Sequence, residues 1–433
     1  MARSEPLAIW FSGEHVATLE LRRGLRLTYT GAAMRRWSLN TPVVSLAMPV
    51  SPRPYLDRLV RPFFDGLLPE GEARRTLAYD LALSEDDVFG FLRALGRDCA
   101  GALVLAPLSE GPPLPASLSQ AERITEDEVA KRLAAVRTAP LGVDDRVRVS
   151  LAGAQGKVVL TRLPDGSWAL PVGGAPSTHI LKPAVPGLEG SVENEAFCMR
   201  LAARVGLAAA HVEVGYFAGR PVLVVERFDR EVTSAGEVHR LHQEDACQAL
   251  SVPVGRKYEE DGGPSLRAIA DLLRRWTAAG TTLVELCRSV VFAAAVGDAD
   301  RHAKNTAFLH GADGKVRLAP LYDVMSTRFY RHVSAVPGTF VNGVRDIDAL
   351  RPADFVAEAE SWGLSADAAR DAVESVLDAL PSAISAEADA SPWPPPRLVD
   401  FLAARARKLS AAARSPRPSA VNARTRRVRA RPS

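Results

Sequence analysis

The chain has 433 residues, enough for two or three domains, and its 24% charged and 47% apolar residues are the balance of an ordinary globular protein. A formal net charge of +3 excludes a strongly charged body, although the stretch from Ser410 to the end carries seven arginines and no acid. No run approaches the ~18 apolar residues of a membrane span, the first residues lack a signal peptide's apolar core, and Cys99, Cys198, Cys247 and Cys287 show no disulfide or metal spacing. A cytoplasmic protein with reduced thiols and no membrane contact is expected.

Taken in order, Leu7–Phe11, Val16–Leu21, Leu25–Tyr29 and Val43–Met48 are short β-rich runs separated by glycine turns, and predict four strands. Glu72–Leu83 and Val88–Leu95 predict helices, the second opened by Ser84-Glu-Asp-Asp87 with acids suited to the helix dipole. Cys99–Leu105 predicts a fifth strand. The proline-rich stretch 109–119 predicts a linker and a lobe boundary. Ile124–Arg137 predicts an amphipathic helix, with Thr125 and Glu128 in capping-box spacing.

Next comes Ser150-Leu-Ala-Gly-Ala-Gln-Gly-Lys157, a loop of small residues between two β-like runs. Such a loop suits a lid whose backbone N–H groups approach phosphates, and equally suits a β-hairpin turn. It is not a Walker A loop, because Leu151 stands where the first glycine is required. Lys182 ends the short strand Ser177–Pro183, either snorkelling at an edge or holding phosphate. The helix from Ser191 to Val205 offers Glu193 and Glu195, as partners for that lysine or simply as acids in a first turn. Val212–Phe217 and Pro221–Asp229 predict a strand pair that emerges into Glu226-Arg227-Phe228, where a hinge would read an adenine edge. His239–Leu250 predicts the start of a helix. Leu266–Thr277, Leu283–Val296, Pro352–Trp362, Ser365–Leu380 and Arg397–Leu409 predict further helices, and residues from Ser415 onward are expected to be disordered.

The densest chemistry lies in Val296-Gly-Asp-Ala-Asp-Arg-His-Ala-Lys-Asn305, between an apolar run and Ala307–Leu309. Asp300 and Asn305 are five apart, the kinase separation of a catalytic-loop aspartate and a metal-binding asparagine; Asp323 follows eighteen residues on. An acid, an amide and a second acid suit a base plus two oxygen ligands for Mg²⁺. A solvated loop with helix-capping aspartates would carry similar residues. A calcium EF-hand is excluded, since His302 and Ala303 stand where Asp or Asn and Gly are required.

Small-residue lid, strand lysine, helix glutamate, hinge, Asp300 with Asn305, then Asp323 follow the order of a bilobal kinase. The chain also resembles the HipA family, the serine/threonine kinase toxins of bacterial type II toxin–antitoxin systems, from near its N-terminus to about Leu409. The resemblance is carried by Phe63-Phe-Asp-Gly-Leu-Leu-Pro-Glu-Gly71, Ser150–Gln155, Thr178–Pro183, Glu193–Cys198, Glu226–Arg230, Leu241–Leu250, Lys257-Tyr-Glu259, Gly297–Asn305 and Tyr322–Met325. It implies an α+β, protein-kinase-like bilobal fold with a β-rich N-terminal subdomain (1–108), an ATP-binding part (109–230), a mainly α-helical catalytic lobe (231–410) and a basic tail (411–433).

By the same resemblance Asp300 is the catalytic base and Lys304 the transition-state cation, a surface role being the alternative for that lysine. Ala152, Gly153, Ala154, Gln155 and Lys157 form the lid, Lys182 holds ATP phosphates with Glu195 as its partner, Glu226, Arg227 and Phe228 frame the adenine, and His302, where some kinases carry a catalytic-loop lysine, is a further ATP-binding residue. Asn305 and Asp323 ligate Mg²⁺. Ser150 matches a serine whose autophosphorylation ejects the lid. The implied target is a protein serine or threonine in a translation component such as glutamyl-tRNA synthetase, and the implied partners are a HipB-like antitoxin and, through it, operator DNA. Two positions depart from many relatives: Gly156 replaces an acid and Asp298 replaces an asparagine. A non-catalytic co-repressor, which the arginine-rich tail would suit, and a small-molecule or lipid kinase on the same fold are the competing readings.

Overall fold

The structure is a computed structural model that describes residues 4–143, 147–172, 174–277, 279–311 and 315–413. The expected disorder beyond Ser415 therefore lies outside the described residues.

The first sheet contains β1 (Leu7–Phe11), β2 (Glu14–Leu21), β3 (Leu25–Tyr29), β4 (Tyr55–Leu56) and β5 (Leu103–Pro107), antiparallel in the order β4-β3-β2-β1-β5. Alternation along β3 buries Leu25, Leu27 and Tyr29. Helices α1 (Gly31–Arg36), α2 (Asp57–Asp65), α3 (Gly71–Asp80) and α4 (Val88–Leu95) complete this unit, and Phe63, Phe64 and Phe91 join Leu7, Ile9 and Leu19 in one core. Asp87, the last residue of the expected cap, accepts the Gly90 N–H.

Two expected strands are corrected here. Val43–Met48 forms no strand, only a bridge from Ser45 to Met48. Val43, Val44, Leu46 and Met48 are buried, but Glu244 takes the Ser45 hydroxyl at 2.6 Å and the Leu46 N–H at 2.7 Å, curling the run round a distant carboxylate. The Cys99–Leu105 strand is displaced to Leu103–Pro107, because Cys99 and Gly101 give their backbone groups to Arg227, Arg230 and Asp229.

The second sheet contains β6 (Glu122–Ile124), β7 (Val158–Arg162), β8 (Trp168–Leu170), β9 (His179–Pro183), β10 (Val212–Phe217) and β11 (Arg220–Glu226), in the antiparallel order β10-β11-β9-β7-β8-β6. Helix α5 (Glu126–Ala134), capped by Thr125, and α6 (Ser191–Arg204) accompany it. A hairpin of β12 (Arg230–Val232) and β13 (Val238–Arg240) follows.

β14 (His242–Asp245), β15 (Ala307–His310) and β16 (Val316–Leu318) make a third small sheet. The helix expected to begin at His239 is therefore strand first; pairing of His242–Asp245 with β15 prevails, and only α7 (Ala246–Ala249), with an Asp245–Gln248 capping box, is helical. The remaining helices are α8 (Leu266–Trp276), α9 (Ala279–Val296), α10 (Pro352–Ser361), α11 (Ala366–Ala390) and α12 (Pro396–Ala413). Helix α11 runs through Pro381 rather than stopping at Leu380, held by buried Ala383 and Ile384 and by Glu387, which takes Arg200 and Arg204 of α6. Among the described residues no helix is long and apolar enough to cross a membrane.

Candidate active site

Buried α9 carries the chain to Gly297, whose φ of +80° turns it into the loop Asp298–Asn305. A Cβ there would stand 2.7 Å from Arg405 Nε and 3.1 Å from Arg328 Cβ, so only glycine fits. Asp298, 3% exposed, accepts the Asp300 N–H at 3.1 Å. The His302 N–H and Asn305 Nδ2 both donate to the Asp300 carbonyl, at 2.7 and 3.3 Å. These bonds fix the Asp300 backbone while its side chain faces a cavity of about 920 Å³. Asp300 Oδ1 accepts the Tyr258 hydroxyl at 2.7 Å. Burial pushes the Asp300 carboxyl up, the Tyr258 hydrogen bond opposes that, and Asp323 adds to it. Burial, with Asp300 beside it, also pushes the Asp298 carboxyl well above the usual carboxylate range.

Lys182 enters the same cavity from β9. Its Nζ lies 2.7 Å from Glu195 Oε1 on α6 and 2.6 Å from Asp323 Oδ1. Of the two acids Glu193 and Glu195, the second makes the pair. Burial pushes the Lys182 ammonium down, but the two carboxylates more than offset this and hold it charged. Lys182 in turn lowers Asp323 to about 2. Asp323 sits at φ +59°, a left-handed conformation that aspartate tolerates better than most side chains, and its side chain stays 44% exposed.

The loop expected as lid or hairpin turn covers one side of the cavity, with Ala152, Gly153, Ala154, Gln155 and Lys157 all on the lining. It is joined to the N-terminal unit. Gly153 accepts the Glu70 N–H at 3.2 Å, and the Ser150 N–H donates to Asp98 O at 3.0 Å. Ser150 lies off the lining: fully buried, it donates its hydroxyl to Leu67 O at 2.8 Å. Lys157 Nζ donates to Ala152 O at 2.6 Å, and burial together with nearby Lys182 lowers it to about 8. At Gly156 a Cβ would lie 3.2 Å from Val136, so the residue also fits a tight packing point.

Glu226, Arg227 and Phe228 also line the cavity. The N–H groups of Glu226 and Arg227 are taken by His211 O and Thr178 O, each at 2.9 Å. The Arg227 guanidinium is committed to a buried cluster, reaching Asp229 at 2.9 and 3.0 Å and Ser177 Oγ at 2.7 Å. Phe228 packs against Tyr322 with ring centroids 5.6 Å apart.

Lys304 is 6% exposed and has no surface role. Its Nζ is held by Asp245 at 2.7 Å and stands 3.9 Å from Glu70, which also binds Lys257 at 3.0 Å. His302 is packed edge-on to Tyr258 at 5.0 Å, and burial lowers it to about 4, so it is neutral at physiological pH. Glu70, Asp245, Lys257 and Tyr258 are site residues to which the sequence assigned no role. All four lie within stretches that carry the family resemblance, and Asp245 also caps α7, but no spacing links any of them to Asp300.

The family model described as the HipA-like C-terminal domain matches residues 149–384, and that described as the HipA N-terminal domain matches 7–106. The chain belongs to the HipA family of kinases. It is 43% identical over 336 residues to a putative kinase, Y4mE, of Sinorhizobium fredii, covering 76% of this chain and 79% of that one. It is 33% identical over 283 residues to the serine/threonine-protein kinase toxin HipA of Shewanella oneidensis, covering 62% and 63%. A solved Shewanella oneidensis complex of HipA, HipB and operator DNA gives a TM-score of 0.79 at 25% identity, over 94% of this chain and 96% of that one. The α+β kinase-like fold expected from the sequence is thus the fold of this HipA-family chain.

Proposed function

We propose that this HipA-family kinase is a toxin that transfers the γ-phosphate of ATP to a serine or threonine of a protein, a translation component such as glutamyl-tRNA synthetase. In this reading residues 1–108, 109–230 and 231–410 act as N-terminal subdomain, ATP-binding part and catalytic lobe. The observation that carries it is Lys182 between Glu195 and Asp323 on the wall of a cavity that also receives Asp300 and Asn305. That convergence couples a phosphate-binding cation to a base and two oxygen donors.

Lys157 and Lys182 would hold the triphosphate beside the lid, and Glu226, Arg227 and Phe228 would frame the adenine. Mg²⁺ favours one or two protein oxygens plus phosphate and water. The exposed part of the Asp323 carboxylate and the Asn305 amide oxygen fit that donor set. Bound there, the metal would neutralise charge on the phosphates. Asp300 orients the acceptor hydroxyl and takes its proton as that oxygen bonds to the γ-phosphorus, the bond to the bridging oxygen breaks and ADP leaves. Lys304 contributes positive potential from its place on Asp245; Lys257, which faces Asp300, adds to it. Ser150 is the self-phosphorylation site that shuts the enzyme off. A HipB-like antitoxin, bound to operator DNA, neutralises it in the cytoplasm; support comes from the relative solved with both.

Transfer of label from γ-labelled ATP to protein tests this reading. It is expected for the wild type and absent from Asp300→Asn and Lys182→Met, and equal labelling of all three would overturn it.

A further inference from the structure

We propose that Tyr258 is a positioning residue for phosphoryl transfer: its hydroxyl holds one oxygen of the Asp300 carboxylate and presents the other to the acceptor hydroxyl. This rests on the assignment of Asp300 as the base. The Tyr258 hydroxyl lies 2.7 Å from Asp300 Oδ1, and among the described residues no other side chain is hydrogen-bonded to that carboxylate. A carboxylate with one oxygen engaged cannot rotate freely. A base must meet its proton within hydrogen-bond reach and in the right direction.

The tyrosine is itself held on a rigid mount. Its ring packs edge-on against buried His302 at 5.0 Å. On one side, Lys257 O accepts the Ala303 N–H at 3.2 Å and Lys257 Nζ reaches Glu70 at 3.0 Å. On the other, the Glu259 N–H donates to Gly338 O at 2.9 Å, the Gly338 N–H donates to Ala299 O at 2.8 Å, and Glu259 Oε2 accepts the Phe340 N–H at 2.7 Å. Both neighbours of Tyr258 are thus stitched to the catalytic loop, or to the segment beside it. That suits a fixed support rather than a swinging gate.

The test uses the full chain, Mg²⁺-ATP and water as the acceptor, so it needs no identified protein target. Initial rates of phosphate release, taken before Ser150 is modified, are measured for the wild type, Tyr258→Phe and Asp300→Asn; phenylalanine keeps the ring that packs on His302, and melting curves check the fold. Tyr258→Phe is expected to lower kcat about ten-fold, as for loss of a hydrogen bond to a charged group, with the KM for ATP unchanged. Unchanged or faster turnover in Tyr258→Phe beside an active wild type overturns this proposal alone, as does a fall that appears wholly in KM. No release by the wild type overturns the kinase reading, and the role of Tyr258 with it.

Discussion

The Ser150 hydroxyl donates to the Leu67 carbonyl across 2.8 Å, from a side chain with no exposed surface. The lid is thereby fastened to the N-terminal unit through the residue proposed to be phosphorylated. A phosphate cannot occupy that position, so modification requires the 149–153 segment to leave. Ser150→Asp is expected to weaken binding of a non-hydrolysable ATP analogue about ten-fold or more, because it places a charge in that buried position. Ser150→Ala should bind the analogue normally and lose about 1 kcal/mol of stability with the hydrogen bond. Calorimetric titration and denaturant unfolding check both.

Lys182 forms a buried pair with Glu195 that also reaches Asp323. Removing only the cation leaves Glu195 desolvated and unpaired, so Lys182→Met is expected to cost about 3 kcal/mol, besides abolishing turnover. Replacing Lys182 and Glu195 together by methionine should recover part of that stability and none of the activity. Urea unfolding of the two variants measures the difference.

Asp98 gives a pH dependence of definite sign. Buried at 3% exposure, its carboxylate is lowered from 3.8 to about 2; burial opposes the shift, but Arg230, Arg227 and Arg240 outweigh it. A folded-state pKa below the unfolded value adds stability above the unfolded pKa, and this is lost as pH falls from about 4 to about 2. The contribution at neutral pH is about 2 kcal/mol. Asp98→Asn should therefore be less stable than the wild type at pH 7, with the gap closing across that acid window. Unfolding followed at several pH values checks it.

How much could be read from the sequence divides by range. Asp300, Asn305, Asp323 and Lys182, which share one cavity, stand out in the sequence because their order along the chain follows a kinase, and Asp300 and Asn305 lie within one short loop. Glu70 and Asp245 were not assigned to the site, because each meets Lys304 only through the fold, across 234 and 59 positions of chain. The same cause explains the structural misses. Val43–Met48 has strand composition but answers to Glu244, almost two hundred residues away. His242–Asp245 reads as the start of a helix, yet pairs with β15. Local propensity loses to a distant hydrogen-bond partner in each case.

Lys304 gives a further prediction. Its ammonium compensates buried Asp245, so Lys304→Met is expected to cost about 3 kcal/mol and to lower turnover. An exposed lysine such as Lys408, replaced in the same way, should change stability by about 0.5 kcal/mol or less. Thermal unfolding of the two variants separates a buried charge pair from a surface lysine.

The central claim, an active kinase with Asp300 as base and Ser150 as its own switch, is tested most directly by intact mass after incubation with Mg²⁺-ATP. The sample should begin with Ser150 unmodified and be compared with Asp300→Asn. The account predicts one added phosphate on the wild type, mapped to Ser150, and none on the variant. No phosphate on a wild type that also fails to bind ATP, or equal phosphate on both proteins, would contradict it.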